Sequence, residues 1–137
     1  MVMNEIEETF KIGNEALRNA EKFLGIDLPT SANRIYVAGE NIARALILSV
    51  SGSCPRDHGK VWNAVQHLYE RGILKVKYKS ILETSYRLRI KGDYGRDIDG
   101  TIVINREIIK DQIEKLKEFS KEVKRILEER HKTNKTG

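Results

Sequence analysis

The chain has few of the residues on which secreted, disulfide-bonded or membrane proteins depend. It is 137 residues long and contains a single cysteine, Cys54, which has neither an internal disulfide partner nor metal-ligand spacing. We therefore expect a reducing, intracellular compartment. Its longest apolar run, residues 45–50, is interrupted by Ser49 and is far too short to cross a bilayer. Residues 1–8 are acidic, unlike a signal peptide, so we expect a cytoplasmic protein that is not embedded in a membrane.

The sequence also lacks the common patterns of catalytic and nucleotide-binding sites. Its 10 glycines are scattered and form no glycine-rich phosphate loop. Its 3 histidines, His58, His67 and His131, are isolated along the chain, so no zinc-ligand spacing occurs. His58 follows Asp57 at the start of a predicted helix, a position more typical of a capping turn than of a ligand. We expect no metal site, no cofactor and no hydrolase of ordinary type.

Length and composition predict one globular domain. Apolar residues make up 39% of the chain and charged residues 33%, which suits a single core beneath a strongly charged surface. We expect one domain over residues 1–130, followed by a disordered tail at residues 131–137. No internal repeat and no linker divides the chain.

Apolar periodicity predicts five amphipathic helices. They cover residues 4–24, a segment opening at Pro29, and residues 57–70, 78–91 and 103–130. Residues 73–76 fit either a short strand or a packed connector. Five helices with short connections favour an all-α, antiparallel up-and-down bundle of four to five helices.

Several residues are expected to shape the helix ends and contacts. Gly92 and Gly95 are expected to weaken and close the fourth helix. The second helix carries small side chains on its apolar face, which lets a neighbouring helix approach closely. The candidate caps are Thr30 or Ser31 for the second helix and Thr101 or Asn105 for the fifth.

Positive charge is concentrated in the middle of the chain. The net charge is +5, but residues 1–33 carry three basic and six acidic side chains, whereas residues 71–96 carry eight basic and two acidic ones. Such a basic region fits a polyanion such as RNA, or an acidic partner protein. A charge run is equally typical of a solvated helix face, so the charge pattern alone leaves both interpretations open.

The segment from Tyr86 to Gly95 carries the main candidate site. Arg89 and Asp93 are four residues apart and share a helix face, and Tyr94 follows at the helix end. A guanidinium held beside a carboxylate and a phenol can bind a phosphate or a base edge. The alternative is a salt bridge that only fixes the end of the helix.

A row of polar side chains lies on the second predicted helix. Tyr36, Glu40 and Arg44 recur every four residues and therefore share one face. If this face turns towards Arg89, the two helices form one ionic cluster, whose main role is then structural.

Four segments of the chain, taken together, form a recognisable pattern. They are Ser31–Ala38 continuing to Ala43–Leu46, the turn His58–Val61, Tyr86–Gly95 and Leu116–Phe119. In order and spacing they resemble the HEPN (higher eukaryotes and prokaryotes nucleotide-binding) domain family across residues 4–128. The resemblance is to its small stand-alone members in archaea and bacteria, which are often encoded beside a minimal nucleotidyltransferase.

This resemblance implies an up-and-down helical bundle that forms a homodimer, with a link to nucleotidyltransferases, to RNA or nucleotide, or to both. Many members of the family are metal-independent ribonucleases in which a histidine closely follows the arginine. Here Tyr94 stands at that distance from Arg89, with Asp93 before it. Because a tyrosine with a pKa of about 10 is a poor general base at neutral pH, we expect absent or weak cleavage.

The expected function is a HEPN-like module that dimerises and binds a minimal nucleotidyltransferase partner, RNA or nucleotide, as part of a toxin–antitoxin-like pair. One alternative is a toxin-like, metal-independent endoribonuclease that uses Arg89 with Asp93 and Tyr94, and His58 as a reserve acid–base group. A second alternative is a non-catalytic interaction bundle. The expected binding residues are Tyr36, Arg44, His58, Arg87, Arg89 and Lys91.

Overall fold

The computed structural model describes residues 2–94 and 104–136, and the side chains of residues 4–92 and 104–132. These ranges fold into a bundle of five helices and contain no strand, so the all-α prediction is confirmed. Among the described helices, none combines the length and the hydropathy that a bilayer-spanning segment requires. The helices are α1 (Val2–Phe23), α2 (Leu28–Ser51), α3 (His58–Glu70), α4 (Lys79–Tyr94) and α5 (Arg106–Thr136).

Helix α2 is the centre of the bundle, because it contacts each of the other four helices. Its inward face alternates small and branched side chains, all of them fully buried: Ala32, Ile35, Ala38, Ile42, Ala43 and Leu46. A Cβ atom added to Gly39 would lie 2.8 Å from Leu82 Cδ2 and 3.3 Å from Leu116 Cδ2. The predicted close approach of other helices to this face is therefore confirmed, since α4 and α5 come within contact of the α2 backbone.

A glycine also sets the contact between α1 and α2. A Cβ atom added to Gly13 would lie 2.9 Å from Ile42 Cγ1 and 3.2 Å from the carbonyl oxygen of Ala38. The first helix therefore lies against the backbone of α2, on a side where any larger residue would push the two helices apart.

Helix α5 closes the core against α1, α2 and α4. Its buried stripe follows the predicted helical spacing and includes Ile109, Ile113, Leu116, Phe119 and Val123. Ser120 Oγ donates a hydrogen bond to Asn14 Oδ1 at 2.6 Å, which ties the middle of α5 to α1. Burial of this continuous apolar stripe is the main source of bundle stability.

The start of α2 differs from the prediction. Its N-cap is Asp27, and neither Thr30 nor Ser31 caps it. The Thr30 hydroxyl donates to Asp27 Oδ2 at 2.7 Å, and the Ser31 hydroxyl donates to the carbonyl oxygen of Ala20 at 2.7 Å. The buried Ser31 hydroxyl therefore satisfies a carbonyl near the end of α1 and joins the first two helices.

Helix α4 does not end at Gly92, and that prediction is wrong. The helix continues to Tyr94, and Gly92 keeps a negative φ instead of the left-handed conformation of a helix end. A Cβ atom added to Gly92 would lie 3.2 Å from the Cα atom of Pro29. The glycine therefore lets α4 pass close to the start of α2. Gly95 lies outside the described residues.

Helix α5 begins at Arg106, three residues after the predicted start, and ends later than predicted. Asn105 is its cap, because its Oδ1 accepts a hydrogen bond from the backbone N–H of Ile108 at 2.9 Å, while Thr101 lies outside the described residues. At the other end α5 continues to Thr136, so residues 131–136 are helical, where we expected a disordered tail. The sequence explains this extension, since no glycine or proline interrupts residues 106–136.

The α3–α4 connector (residues 71–78) resolves the ambiguity at residues 73–76 in favour of a packed connector. The backbone N–H groups of Ile73 and Leu74 both donate to the carbonyl oxygen of Leu68, at 2.9 Å and 3.3 Å. The connector thus folds back on the end of α3. Leu74 and Tyr78 are buried and fasten it to the core.

Candidate functional site

Three residues of α2 supply one wall of the candidate site. Tyr36, Glu40 and Arg44 lie on one face of the helix, as their spacing predicts. Arg44 Nη2 lies 3.4 Å from Glu40 Oε2, and Glu40 is only 7% exposed. A carboxylate so deeply buried requires further partners, because an isolated buried charge is costly.

Arg44 fixes the loop that leads from α2 into α3. Its Nη1 donates to the carbonyl oxygen of Pro55 at 2.8 Å, and its Nη2 donates to that of Arg56 at 2.9 Å. The guanidinium is thus shared between Glu40 and the loop backbone. We predicted Arg44 as a binding residue, and the structure uses it to position the start of α3.

Helix α3 begins at His58 because Asp57 caps it. Asp57 Oδ2 accepts a hydrogen bond from the backbone N–H of Lys60 at 3.0 Å, so His58 does belong to a capping turn. This turn also orients Trp62, one helical turn further along. The indole Nε1–H of Trp62 donates to Glu40 Oε1 at 3.2 Å, so the two carboxylate oxygens bind Trp62 and Arg44 respectively.

Four rings from three helices meet beside this ion pair and form the aromatic cluster (Tyr36, His58, Trp62 and Tyr86). Tyr86 of α4 lies at its centre, with ring centroids 4.5 Å from His58, 5.5 Å from Trp62 and 5.6 Å from Tyr36. The His58 and Trp62 centroids are 5.0 Å apart. Such separations are attractive for aromatic pairs. All four residues are partly buried, and each keeps some surface exposed to solvent.

Arg89 extends the aromatic cluster on α4. Its Cζ lies 5.0 Å from the centroid of the Tyr36 ring, a distance typical of a cation–π contact. Arg89 follows Tyr86 by three residues and is likewise half-buried. The face that carries the α2 row therefore does turn towards Arg89, which was the condition for one combined cluster with a mainly structural role. The partial exposure of its aromatic residues is the observation that points beyond that role.

The structure brings four of the predicted binding residues into one group of contacts. Those brought together are Tyr36, Arg44, His58 and Arg89. Arg87 and Lys91 are rotated from Tyr86 by about 100° and about 140° around the α4 axis, on other sides of the helix. The side chains of Asp93 and Tyr94 lie outside the described part of the chain, so the predicted Arg89–Asp93 pair stays a prediction.

Sequence reasoning did not place Trp62 and Tyr86 in the site. Trp62 was assigned to the apolar face of its helix, where its ring does pack against the core. Tyr86 was given only as the first residue of the candidate-site segment, without a role of its own. The available signal was the one-turn spacing of Trp62 from His58, which puts the only tryptophan of the chain beside a histidine. Its hydrogen bond to Glu40 crosses from α3 to α2 and has no counterpart in local spacing.

Burial and charge set the protonation of two groups in the site. Burial raises the pKa of Glu40, although Arg44, the Trp62 hydrogen bond and His58 all favour its charged form. Burial also raises the pKa of Tyr36, helped by Glu40 and opposed by Arg89. Tyr36 is therefore a neutral hydroxyl at physiological pH and offers a donor beside the Arg89 guanidinium.

Half-exposed rings beside a guanidinium can bind a nucleic-acid strand. Bases stack on aromatic faces and arginine planes, and guanidinium groups pair with phosphates. The hydrogen bond that Glu40 accepts from Trp62 fixes one of the four rings, and a ring fixed in advance lowers the ordering cost of any binding. Within residues 4–92 and 104–132, no group of three or more His, Cys, Asp or Glu residues is arranged to hold a metal ion.

Comparison with known proteins assigns no family. The sequence matches no protein-family model, and no curated protein is found to be similar to it. The geometry of the aromatic cluster and of Arg89 is therefore the basis for assigning a function.

Proposed function

We propose that this chain is a HEPN-like module, an antiparallel up-and-down bundle that forms a homodimer and binds single-stranded RNA or a nucleotide. In this proposal it is one half of a toxin–antitoxin-like pair with a minimal nucleotidyltransferase. The observation that supports RNA binding most directly is the aromatic cluster with the Arg89 guanidinium against Tyr36. The five-helix bundle is consistent with a HEPN-like fold. The resemblance of Tyr86–Gly95 to the family pattern supports the proposed pairing with a nucleotidyltransferase.

In this proposal the aromatic rings bind the bases and the Arg89 guanidinium binds the phosphate. The accessible parts of Tyr36, His58 and Tyr86 stack against a base, an interaction worth about 1–3 kcal/mol per base. Arg89 donates to the adjacent phosphate from its position over the Tyr36 ring. Because every base has a stackable face, this site selects single strands and has little sequence preference.

The proposal is tested by titrating labelled single-stranded RNA with the wild-type protein and with Tyr86→Ala and Arg89→Ala. We expect each substitution to weaken binding by about tenfold, as loss of one stacked base or one phosphate contact predicts. Arg125→Ala is the matched control, because Arg125 is an exposed arginine of α5 that pairs with Glu129. Equal RNA affinity in all variants, with lower stability for Arg89→Ala, would leave the non-catalytic interaction bundle instead.

The protein partner requires a separate test. We expect the adjacent gene to encode a minimal nucleotidyltransferase. Co-expression with the product of that gene should then yield a complex that purifies intact through size exclusion. A chain that runs as a monomer and binds neither that protein nor RNA at low salt would end the proposal.

A second candidate, a metal-independent endoribonuclease, is favoured by the position of His58. This imidazole reaches the aromatic cluster from α3, with its centroid 4.5 Å from that of Tyr86, while Arg89 joins the same cluster from α4. Histidine is the side chain best suited to proton transfer near neutral pH. It would take the proton of an RNA 2′-hydroxyl, whose oxygen attacks the adjacent phosphorus. The bond to the 5′-oxygen then breaks, the 5′-oxygen takes up a proton, and a 2′,3′-cyclic phosphate forms.

This candidate makes its own prediction. RNA incubated with the protein and a chelator should yield 2′,3′-cyclic phosphate ends, and both His58→Ala and Arg89→Ala should abolish them. If the purified wild-type protein leaves RNA intact, the endoribonuclease candidate is excluded. The proposal that the protein binds RNA would still stand.

A further inference from the structure

A group of cations lies at the end of α3 opposite the aromatic cluster. Arg71, Lys75 and Lys77 of the α3–α4 connector are exposed, and Lys79 follows at the start of α4. No acidic residue occurs within residues 71–79. The connector thus presents four positive charges over a short length of chain, and phosphates are the commonest ligands of such a group.

The connector holds these cations on a fixed backbone. The N–H of Lys75 donates to Glu122 Oε2 at 2.5 Å, and the Tyr78 hydroxyl donates to Glu122 Oε1 at 3.2 Å. The Tyr78 ring packs on Phe119, with centroids 4.5 Å apart. The nearby carboxylate of Glu122 is therefore bonded to the connector itself, and the lysine side chains extend from an anchored loop.

The connector and the aromatic cluster share one flank of α3. Lys77 Nζ lies 5.6 Å from the centroid of the Tyr69 ring, so this lysine is held beside α3. Tyr69 follows His58 by eleven residues, which is close to three full turns, and the two side chains are within about 20° of each other around the axis. Trp62 lies between them at the edge of the buried side of α3, where Val61 and Val65 pack into the core. The distance from His58 to Tyr69 along the helix is about 17 Å.

We propose that this flank of α3 is a track for a single RNA strand, with bases stacked at the aromatic cluster and phosphates neutralised by Lys75 and Lys77. The inference rests on the proposed function and specifies its ligand. At about 3.4 Å per stacked nucleotide, the track takes about five nucleotides. A mononucleotide reaches only one end of it. An RNA strand fits better than an acidic protein, because the basic end continues into rings on which bases stack.

The experiment compares RNA length and charge removal. Labelled oligouridylates of about two and about eight nucleotides are titrated against the wild type, Lys75→Ala/Lys77→Ala, and the control Lys110→Ala/Lys121→Ala. The control removes the same charge from exposed positions of α5. Both double variants alter exposed residues and are expected to fold.

We expect the connector variant to bind the longer RNA about fivefold to tenfold more weakly than the wild type, and to bind the shorter RNA equally well. The slope of log affinity against log salt concentration should fall in magnitude by about 1.4, or about 0.7 for each lost phosphate contact. If the connector and control variants lose RNA affinity equally, the proposed track on α3 is wrong. The broader proposal that the protein binds RNA would still stand. Displacement of the longer RNA by poly-glutamate at lower concentration than by unlabelled RNA would also overturn the track, and would assign the connector to an acidic protein. If the wild type binds RNA of neither length, the proposed function itself fails.

Discussion

The two ends of α3 are held by opposite charges. At the N-terminal end, Arg44 of α2 donates to loop carbonyl oxygens of Pro55 and Arg56. At the C-terminal end, Glu122 of α5 accepts a hydrogen bond from the backbone N–H of Lys75. Each charged side chain therefore satisfies the backbone groups of one loop, a cation for C=O groups and an anion for N–H.

The acidic residues at the two anchors differ in burial, and this difference predicts different effects when each anchor is removed. Glu40, the partner of Arg44, is 7% exposed and bonded to Trp62, whereas Glu122 is more exposed and lies beside lysines. The N-terminal anchor, Arg44, is therefore tied to the core through the buried Glu40, which also fixes the Trp62 ring. The C-terminal anchor orders a surface loop that carries exposed cations.

Removal of the buried carboxylate should have the largest effect. Glu40→Ala leaves the Arg44 charge and the Trp62 indole N–H without this acceptor, and we expect a loss of about 3 kcal/mol in the free energy of unfolding. Glu118→Ala, at a side chain that is 69% exposed, is the control and should change stability little. Urea denaturation measures both, and equal small losses would contradict the difference between buried and exposed anchors.

The pH dependence of stability should isolate Glu40. Its pKa in the folded chain is raised above its ordinary value of 4.5, so the folded state binds the proton more tightly than the unfolded state. The wild type should therefore lose stability relative to Glu40→Gln as pH rises from below 4.5 through the raised pKa, and the difference should then level off. Urea denaturation of both proteins over this range checks the sign, and a difference that grows in favour of the wild type would contradict it.

Loss of the Tyr78 hydroxyl should have a smaller effect. Tyr78→Phe keeps the ring contact with Phe119 and removes the bond to Glu122, so we expect a loss of about 1 kcal/mol. Tyr69→Phe, at the other ring beside the connector, is the matched control. Thermal unfolding of the two variants compares them, and an effect on Tyr78→Phe as large as that of Glu40→Ala would remove the distinction between the two anchors.

Removal of the Lys77 charge should have the smallest effect on stability. Lys77→Ala removes a cation–π contact with Tyr69, worth about 0.5–1 kcal/mol at an exposed site. The near-ultraviolet circular dichroism of the aromatic cluster should stay unchanged. A change in that spectrum would show that the two ends of α3 are coupled. It would contradict the separation of the two anchors.

Much of the fold could be predicted from the sequence, because helical periodicity reports burial directly. The stripe on α5 and the small-residue face of α2 are buried as their spacing predicts. Helix ends were less predictable, since Ser31 and Gly92 have roles that depend on other helices. Ser31 bonds to Ala20 of α1, and Gly92 makes room for Pro29 of α2.

The candidate site was predictable where its residues share a helix. The row of Tyr36, Glu40 and Arg44 follows from four-residue spacing alone. The contacts of Trp62 with Glu40 and of Arg89 with Tyr36 each join two helices, and their formation depends on how those helices pack. Local spacing carries no information about that packing. The contact of Glu40 with Trp62 and that of Arg89 with Tyr36 therefore had to come from the three-dimensional structure.

Two glycines at the packing faces of α2, Gly13 of α1 and Gly39 of α2 itself, make the site sensitive to distant substitutions. Gly13 and Gly39 leave no space for even a methyl group without movement of Ile42 or Leu82. A bulkier residue at Gly13 would press on the α2 backbone at Ala38 and Ile42 and would alter the position of the helix that carries Tyr36. Under the proposed function, such a substitution would change RNA affinity without replacing a side chain that contacts the RNA.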